Sequence, residues 1–335
     1  MAIRVAVDAM GGDAAPAVVV EGALQALKEV PERLQIQLFG PRTLLEAELE
    51  QRGGQESAAL VLIDAPEVIG MAESPAAVVK TKPHSSIHRG LQAVAQGQAD
   101  AFASAGNTGA VMAIALFVLG RLPEIARPSV VGFFPTTRGR CLVLDIGTNV
   151  DCKPEHLLQF ARMGSVFVER VWQLPRPVVG LLNVGEEPGK GNALTKAAYE
   201  LLQAAPDINF RGNIEGRDLM HHAADVVVCD GFVGNIMLKL GESMVTAFVE
   251  MLRQEMKAQG LEEAQQRLVL GLLRNVLRRF DYEEYGGAPL LGVNGPVVIG
   301  HGSSSARAIA RMILAAAEMV EQEVVRSIAE AFHSA

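Results

Sequence analysis

The chain has 335 residues, which is long enough for two domains or for two intertwined subdomains with a sizeable core. Hydrophobic residues make up 49% and charged residues 20%, an ordinary globular balance, and 33 glycines favour an α/β protein with many tight strand-to-helix turns. The formal net charge of −8 argues against nucleic acid as a partner.

The cysteines and the apolar runs bear on where the protein works. Cys141, Cys152 and Cys229 have no metal-like spacing, which predicts reduced thiols in a cytoplasmic protein. The N-terminus enters a strand directly, without a visible signal peptide. The longest uncharged apolar run, residues 109–120, is too short to span a bilayer and predicts a buried helix. We therefore expect a soluble protein in the cytoplasm.

In the first half of the chain, short apolar runs alternate with helix-like apolar series. Residues 71–88 show no regular pattern. Residues 130–134 and 141–144 are predicted to be two strands of a hairpin at one sheet edge, separated by P-T-T-R-G-R. The other predicted strands cover residues 3–7, 35–39, 60–63 and 101–103, and the predicted helices follow Pro16, follow Pro41, begin near Ile87 and cover 109–120.

The second half continues the alternation, which predicts a mostly parallel, doubly wound sheet. No linker is visible, so we interpret residues 1–335 as a single catalytic unit of two intertwined α/β subdomains, with a projecting helical hairpin at 236–280. The predicted strands are 178–182, 226–229 and 297–299, with 210–218 a loop or short strand, and the predicted helices begin near Glu155 and Ala193, cover 236–256 and 261–280, and run to about Phe332 at the C-terminus.

The stretch 225–242 shows the arrangement that the rest of the chain repeats. A short β-branched run ends at Asp230, and Asn235 precedes a helix-like series. Such a unit places polar groups and free backbone N–H groups at the carboxyl edge of a parallel sheet, where ligands bind. Glycine after a strand is often only structural. Because a parallel sheet places its strand ends at one edge, we nevertheless expect some of the following loops to line one ligand site. They are D-A-M-G-G-D, S-A-G-N-T-G, D-I-G-T-N, N-V-G-E-E-P-G-K-G-N, D-G-F-V-G-N and H-G-S-S-S.

Three of these loops have an ordinary alternative. G-E-E-P-G-K-G is one residue too short for a P-loop, and Gly191 stands where a hydroxyl is needed. Lys190 is therefore either a mobile charge for a phosphate or oxyanion, or a solvated loop lysine. His301-Gly-Ser-Ser-Ser is either an anion site at a helix N-terminus or a plain serine N-cap, and S-A-G-N-T-G has the same alternatives.

Other common kinds of site are not indicated. His84, His88, His221 and His222 have no metal-binding spacing with acids, so we interpret them as surface or packing histidines. No G-x-G-x-x-G follows a strand, which leaves out a dinucleotide fingerprint, and no G-x-S-x-G pattern indicates a covalent serine route. We expect no metal and no redox cofactor.

Taken together, the loops resemble one family. D-A-M-G-G-D, S-A-G-N-T-G-A, L-D-I-G-T-N-V-D-C-K-P, K-G-N, G-N-I-E-G-R-D, C-D-G-F-V-G-N, Y-G-G-A-P-L-L-G-V and H-G-S-S resemble, in order, the motifs of phosphate acyltransferase, the acyl-acyl carrier protein:phosphate enzyme of bacterial phospholipid synthesis. Thr148 departs from the alanine that is usual in the family, and the segment 82–84 lies where the family varies.

The resemblance implies a reaction and a fold. Inorganic phosphate would attack the thioester of acyl-acyl carrier protein, giving acyl phosphate and the free carrier thiol. The implied fold is a three-layer α/β/α, isocitrate-dehydrogenase-like and akin to phosphotransacetylase, usually as a homodimer. Three alternatives stay open: a phosphotransacetylase-like enzyme that uses acyl-CoA, a dehydrogenase of the same fold, and a non-catalytic ligand-binding regulator.

The chemistry of acyl transfer suggests roles for the loop residues. Phosphate needs positioning, and the tetrahedral intermediate needs donors at its oxyanion. The candidate catalytic residues are Asp8, Lys190, Asn192 and Asp230, with Lys190 and Asn192 near the acyl carbonyl. The candidate substrate-binding and phosphate-binding residues are Gly11, Gly12, Asp13, Ser104, Gly106, Asn107, Thr108, Asn149, Asn235, His301, Gly302, Ser303 and Ser304.

The helical hairpin is a candidate contact surface. Its second helix carries a basic face, which is a local exception in an acidic chain. That basic surface would suit acidic acyl carrier protein or the anionic lipid at the inner side of the membrane. A downstream glycerol-3-phosphate acyltransferase is a further candidate partner. The alternative is that the hairpin packs in a homodimer and its arginines are solvated. The residues concerned are Arg267, Arg274, Arg278 and Arg279.

Overall fold

The computed structural model describes residues 2–277 and 286–333, without the side chains of residues 274–276. The chain divides into two compact units. Unit 1 comprises Met1–Val131, Ser165–Pro175 and Tyr285–Ala335, and unit 2 comprises Gly132–Gly164 and Arg176–Glu284. Each unit is therefore assembled from separate stretches of the sequence.

The described elements alternate between strands and helices along most of the chain. The strands are β1 (Ile3–Asp8), β2 (Leu34–Gly40), β3 (Leu60–Asp64), β4 (Ala101–Ser104), β5 (Ser129–Val130), β6 (Gly132–Thr136), β7 (Gly139–Leu144), β8 (Val178–Leu182), β9 (Asn209–Ile214), β10 (Val226–Val228), β11 (Ala288–Leu291) and β12 (Val297–Ile299). The helices are α1 (Ala17–Glu29), α2 (Arg42–Gln51), α3 (Pro75–Thr81), α4 (Ser86–Ala95), α5 (Thr108–Val118), α6 (Pro154–Val171), α7 (Ala193–Ala204), α8 (Gly216–Leu219), α9 (Gly231–Ala258), α10 (Glu263–Leu277), α11 (Ala306–Glu321) and α12 (Val324–His333).

Unit 1 contains a seven-stranded sheet in the order β3-β2-β1-β4-β12-β11-β5. The strands from β3 to β12 are parallel, whereas β11 is antiparallel to both of its neighbours. In β1, an inner strand of this sheet, Val5, Ala6 and Val7 are all fully buried. A parallel strand covered on both faces gives a continuous apolar run rather than an alternating one, as this sequence shows. The carboxyl ends of β1, β4 and β12 consequently lie side by side.

Unit 2 contains a five-stranded sheet in the order β6-β7-β10-β8-β9, in which only the edge strand β6 is antiparallel. The predicted hairpin at a sheet edge is confirmed as β6 and β7. Cys141, Val143, Val227 and Cys229 are buried members of one apolar cluster. Burial raises the pKa of the Cys141 thiol to about 12, so this cysteine packs as a small apolar side chain.

The predicted α/β class with mostly parallel strands is confirmed, and the strands form two sheets. Three local predictions were incomplete. The irregular stretch 71–88 contains the short helix α3, and the glycine-rich connection before residue 297 contains β11. The last helix is interrupted at Glu323, whose φ of 50° is left-handed and cannot continue an α-helix. Short elements beside glycine and proline give too little periodicity to be recognised.

The prediction of a buried helix over residues 109–120 was only half right. In α5, Val111 and Ile114 lie on a buried face, but Phe117 is 67% exposed in the single chain. The helix is apolar on every face, so its sequence carries no signal for the side that faces the core.

The long helix α9 is exposed along most of its length. By length and composition alone it could cross a membrane, and among the described residues no other helix meets that test. It begins at Gly231, five residues earlier than predicted, because the Asp230 side chain caps it. We define the α9 stripe as its exposed apolar side chains that recur at about helical spacing: Phe232, Ile236, Leu240, Met244, Phe248 and Met251.

Candidate functional site

In unit 1, the acid at the end of β1 lies beneath the neighbouring loops. Asp8 is only 1% exposed. Its Oδ2 accepts a hydrogen bond from Ser104 Oγ at 2.6 Å, and its Oδ1 accepts one from the Met10 amide at 3.1 Å. Burial raises the pKa of Asp8, and hydrogen bonds from Ser104, Ser86 and Met10 oppose that shift. The carboxyl group therefore ties β1, β4 and the start of α4 together.

The loops after β1 and β4 touch through their backbones. A Cβ at Gly11 would lie 2.5 Å from Asp8 Oδ2 and 2.6 Å from the Gly106 amide nitrogen, which leaves no room for a side chain. Gly12 has a φ of 109°, and the next amide, that of Asp13, donates to the Gly302 carbonyl at 2.8 Å. The loops after β1, β4 and β12 thus converge.

Asn107 and Thr108 mark the start of α5. Asn107 Oδ1 accepts from the Ala110 amide at 3.1 Å, so Asn107 is the N-cap of this helix. Its Nδ2 donates to the carbonyls of Met71 and Glu73, each at 3.0 Å. Asn107 is therefore an anchor for a distant segment, while Thr108 is exposed in the first turn.

The H-G-S-S-S loop precedes α11. The N-cap of that helix is Ser305, whose hydroxyl accepts from the Ala308 amide at 3.2 Å. Ser303 Oγ lies 2.8 Å from His301 Nδ1, and the Ser303 amide donates to the same nitrogen at 3.3 Å. Because Nδ1 accepts, neutral His301 carries its proton on Nε2. The N-cap of α11 is therefore Ser305 and not Ser303 or Ser304, and Ser304 is buried.

In unit 2, the acid that follows β7 is also buried. Asp145 accepts hydrogen bonds from the amides of Gly147 and Thr148 at 2.7 Å and from the Asn149 amide at 3.1 Å. The Asn149 side chain donates a further bond. Burial raises the pKa of Asp145, and these hydrogen bonds oppose the shift. Asp145 was not among the site residues predicted from the sequence, although D-I-G-T-N at a strand end was the available signal.

The loops after β7 and β10 are packed tightly. The Asn149 carbonyl accepts from the Gly231 amide at 2.9 Å, and Asn235 Nδ2 donates to the Ile146 carbonyl at 3.0 Å. A Cβ at Gly234 would lie 1.9 Å from the Asp145 carbonyl oxygen, so only glycine fits there. Asn149 and Asn235 consequently brace the two loops against each other.

Asp230 is the N-cap of α9. Its Oδ1 accepts from the Val233 amide at 2.9 Å, as in an ordinary aspartate cap. The carboxylate also faces the positive end of the helix dipole. Asp230, a candidate catalytic residue from its position after a strand, therefore also has a structural role as a helix cap.

The loop after β8 presents a charged and an amide side chain. The Lys190 side chain is 53% exposed, and its Nζ lies 4.0 Å from Glu187. Asn192 is the N-cap of α7, accepting from the Thr195 amide at 2.9 Å. The sequence analysis missed Asn183, whose Nδ2 donates to the Lys190 carbonyl at 3.2 Å and to Asn213 Oδ1 at 3.1 Å. This amide pair fixes the loop that carries Lys190.

The structure thus brings the candidate residues into a cluster in each unit. Unit 1 gathers the residues that follow β1, β4 and β12, and unit 2 gathers those that follow the adjacent strands β7, β10 and β8. Within the described ranges 2–277 and 286–333, no group of three or more His, Cys, Asp or Glu side chains could hold a metal ion.

The predicted basic face is described only in part. The Arg267 side chain is 72% exposed and lies 3.5 Å from Glu263, one turn earlier in α10. The Arg274 side chain, together with Arg278 and Arg279, lies outside the described residues.

Comparisons with known proteins agree with one another. A sequence profile for the family described as "Fatty acid synthesis protein" matches residues 3–327. A phosphate acyltransferase from Salinibacter ruber is 55% identical over 333 residues, covering 99% of this chain and 98% of that protein. A phosphate acyltransferase from Desulforamulus reducens is 47% identical over 334 residues, with the same coverage of 99% and 98%.

Solved structures show the same fold. A phosphotransacetylase from Streptococcus pyogenes superposes with a TM-score of 0.65 at 20% identity, covering 96% of this chain and 94% of that one. The EutD phosphotransacetylase from Staphylococcus aureus gives a TM-score of 0.61 at 14% identity, covering 95% and 94%. At these identities the likeness concerns the fold alone.

Proposed function

Because the chain belongs to the phosphate acyltransferase family and is an acyltransferase, we propose that it transfers a fatty acyl group from acyl-acyl carrier protein to inorganic phosphate. The products are an acyl phosphate, which feeds phospholipid synthesis, and the free carrier thiol. One phosphate oxygen forms a bond to the thioester carbon, and the C–S bond breaks. The convergence of three glycine loops in unit 1 carries this proposal, since it forms a setting suited to an oxyanion.

We assign phosphate to the loops after β4 and β12. Thr108 lies in the first turn of α5, where backbone N–H groups and the helix dipole favour an anion. Ser303 precedes α11 and pairs with His301, whose Nε2–H is then directed away from that pair. Asp8 is buried and bonded to Ser104, so we assign it the role of positioning Ser104 and the glycine loops.

We assign the acyl carbonyl to the donors that follow β8. Lys190 supplies an exposed cation, and Asn192 supplies an amide at the start of α7. A cation or N–H group directed at the developing oxyanion stabilises the tetrahedral intermediate. Phosphate is already partly dianionic near neutral pH, so positioning contributes more than a strong general base.

A direct assay tests the reaction. Pure protein is incubated with phosphate and either hexadecanoyl-acyl carrier protein or hexadecanoyl-CoA, and acyl phosphate is trapped with hydroxylamine. We expect acyl phosphate from the carrier-protein donor at a higher kcat/KM than from the CoA donor. A preference for CoA would support the phosphotransacetylase-like alternative. Absence of product with both donors, from folded protein, would contradict an acyltransferase.

The exposed helices suggest how the protein is arranged in the cell. The α9 stripe is an apolar surface that a second copy of the chain would cover, so we propose a homodimer. The arginines of the α10 region suit acidic carrier protein or anionic lipid, which would place the enzyme at the inner face of the membrane, near a glycerol-3-phosphate acyltransferase that consumes its product.

Light scattering tests the dimer, with Leu240→Glu and Met244→Glu combined in one variant. We expect the wild type to have twice the mass of the chain and the variant to dissociate. A monomeric wild type would contradict the dimer. Flotation of the protein with vesicles of anionic or neutral lipid tests the membrane contact, with Arg267→Glu compared with wild type at low salt, where charge attraction is strongest.

A further inference from the structure

The segment between β3 and α3 lies across the unit 1 cluster. We call residues 67–74 the strap. Its backbone is held by Asn107, whose single Nδ2 lies within hydrogen-bonding distance of three strap carbonyls: Gly70 at 3.3 Å, Met71 at 3.0 Å and Glu73 at 3.0 Å. The same Asn107 caps α5. The position of the strap is therefore coupled directly to the loop assigned to phosphate.

The charged side chains of Glu73 and Lys82 also hold the strap in place. Glu73 Oε1 accepts from the Gly70 amide at 2.6 Å and from Lys82 Nζ at 2.6 Å. Lys82 Nζ also donates to the Val68 carbonyl at 2.6 Å. The hydrogen bond from Lys82 is the largest influence that lowers the pKa of Glu73, so this carboxylate stays charged. A segment without regular secondary structure is thus held in place by side-chain hydrogen bonds.

The strap brings one apolar side chain, that of Met71, against the H-G-S-S-S loop. A Cβ built at Gly302 would lie 3.0 Å from the terminal methyl carbon of Met71 and 3.4 Å from a carboxylate oxygen of Asp13. Met71 is 48% exposed, so about half of it is accessible to solvent. Its methyl group therefore lies against the glycine of the H-G-S-S-S loop, where the Asp13 carboxylate is also close.

We propose that Met71 is a specificity-determining residue that contacts the first methylene groups of the acyl chain. The inference rests on the proposed function, because it takes phosphate to bind at the loops after β4 and β12. Phosphate can attack only when the thioester carbon lies about 3–3.5 Å from its oxygen. The carbons next to that carbonyl must then lie within a few ångströms of the phosphate loops, where Met71 supplies an apolar contact.

The chemistry of methionine fits this position. Its thioether is polarizable and flexible, so it packs against a straight alkyl chain without a shaped pocket. Its backbone is fixed by Asn107, so the side chain also limits the space at the α-carbon of the acyl group. Met71 should therefore favour straight chains and disfavour a methyl branch at that carbon. In an apolar pocket, one methyl group typically changes kcat/KM by about 10-fold or more.

The experiment compares donors that differ at one carbon. Wild type and Met71→Ala are assayed with hexadecanoyl-acyl carrier protein and with its 2-methylhexadecanoyl counterpart, at saturating phosphate. We expect Met71→Ala to raise the branched-to-straight ratio of kcat/KM by about 10-fold. Met71→Gln, which keeps the length but adds polarity, should lower kcat/KM for both donors while the KM for phosphate stays unchanged. Met220→Ala is the matched control, since Met220 is an exposed methionine of unit 2.

Several outcomes would overturn the inference. One is a branched-to-straight ratio in folded Met71→Ala that stays within twofold of wild type. Another is a rise in the KM for phosphate with no change in that ratio, which would make Met71 only a cover for phosphate. Met71→Leu supplies a second folded variant, and its ratio should lie between those of wild type and Met71→Ala. The phosphate assignment fails separately, if substitutions at Ser303 and Ser304 leave the KM for phosphate unchanged.

Discussion

Asp8 in unit 1 and Asp145 in unit 2 lie at equivalent points of their sheets, where a parallel strand ends, and both are buried. Their hydrogen bonds differ. Asp8 accepts from Ser104, a residue 96 positions away in the sequence. The carboxylate of Asp145 accepts from residues 147–149 of its own loop. The same residue type at the same place thus joins separate loops in one unit and stiffens a single loop in the other.

The contrast extends to the other polar residues of each unit. In unit 1, Asn107 reaches residues that lie 34 to 37 positions away. In unit 2, Asn192 and Asp230 each accept from an amide three residues on, as local helix caps. Unit 1 therefore has a buried acid and an amide that both bond to residues far away in the sequence, whereas in unit 2 the caps are local and the long-range bonds come from Asn183 and Asn235. This comparison makes predictions that can be checked by substitution.

The largest effect is expected at Lys190. Lys190→Ala should lower kcat by about 10²-fold, the usual cost of removing one donor from a developing oxyanion. The melting temperature should hardly change, because the lysine is exposed and its ion pair with Glu187, at 4.0 Å, contributes little stability. Steady-state kinetics and thermal unfolding measure the two quantities, with Lys196→Ala as a control on the adjoining helix. A normal rate from folded Lys190→Ala would remove Lys190 from the site.

Substitutions at the two buried acids, Asp8 and Asp145, should lower the stability of the protein by different amounts. An asparagine at position 145 offers one acceptor oxygen where the carboxylate receives four hydrogen bonds, and its NH₂ group would face amide donors. Since each unsatisfied buried donor costs roughly 1–3 kcal/mol, Asp145→Asn should lose about 2–4 kcal/mol. Asp8→Asn should lose about 1–2 kcal/mol, because the Ser104 hydroxyl can rotate to accept from the new amide. Urea unfolding at pH 7 measures both.

The pH dependence of these losses provides a check. Burial raises the pKa of both acids above the ordinary value of 3.8. A carboxyl group whose pKa is raised on folding contributes stability below 3.8, and that contribution disappears as the pH rises through the folded value. The deficit of each asparagine variant relative to wild type should therefore be smaller at pH 7 than at pH 4. A deficit that grows with pH would show that both carboxyl groups are ionised without penalty.

Much of the framework of these clusters could be predicted from the sequence. The strands that end at Asp8, Ser104 and Val228 are continuous apolar runs with glycine a few residues later, and that pattern depends only on neighbouring residues. The bonds of Asn107 to the strap could not be predicted, since they join residues more than 30 positions apart. The Asn183–Asn213 pair was missed for the same reason. Local pattern identifies strand ends, whereas side-chain partners depend on the finished fold.

A smaller effect is expected from the serines before α11. Replacing both Ser303 and Ser304 by alanine should raise the KM for phosphate by about 10-fold, because a hydrogen bond to a charged group contributes roughly 1.5–3 kcal/mol. The KM for the acyl donor should change less. Ser305→Ala is the matched control, since it removes the N-cap of α11 and should cost about 1 kcal/mol of stability without changing the KM for phosphate. Equal changes for both substrates would argue against phosphate at this loop.

The smallest change in stability is expected at Asp230, and for that reason the substitution is informative. Asparagine caps helices about as well as aspartate, so Asp230→Asn should keep the bond to the Val233 amide and stay within about 0.5 kcal/mol of wild type. Asp230→Ala removes the cap and should cost about 1 kcal/mol. If the carboxylate takes part in the reaction, both variants should lose activity at least several-fold, although only the alanine variant is destabilised. If Asp230 only caps α9, Asp230→Asn will keep normal activity per folded molecule, and Asp230 will be a purely local helix cap, in contrast to the long-range bonds of Asp8 and Asn107 in unit 1.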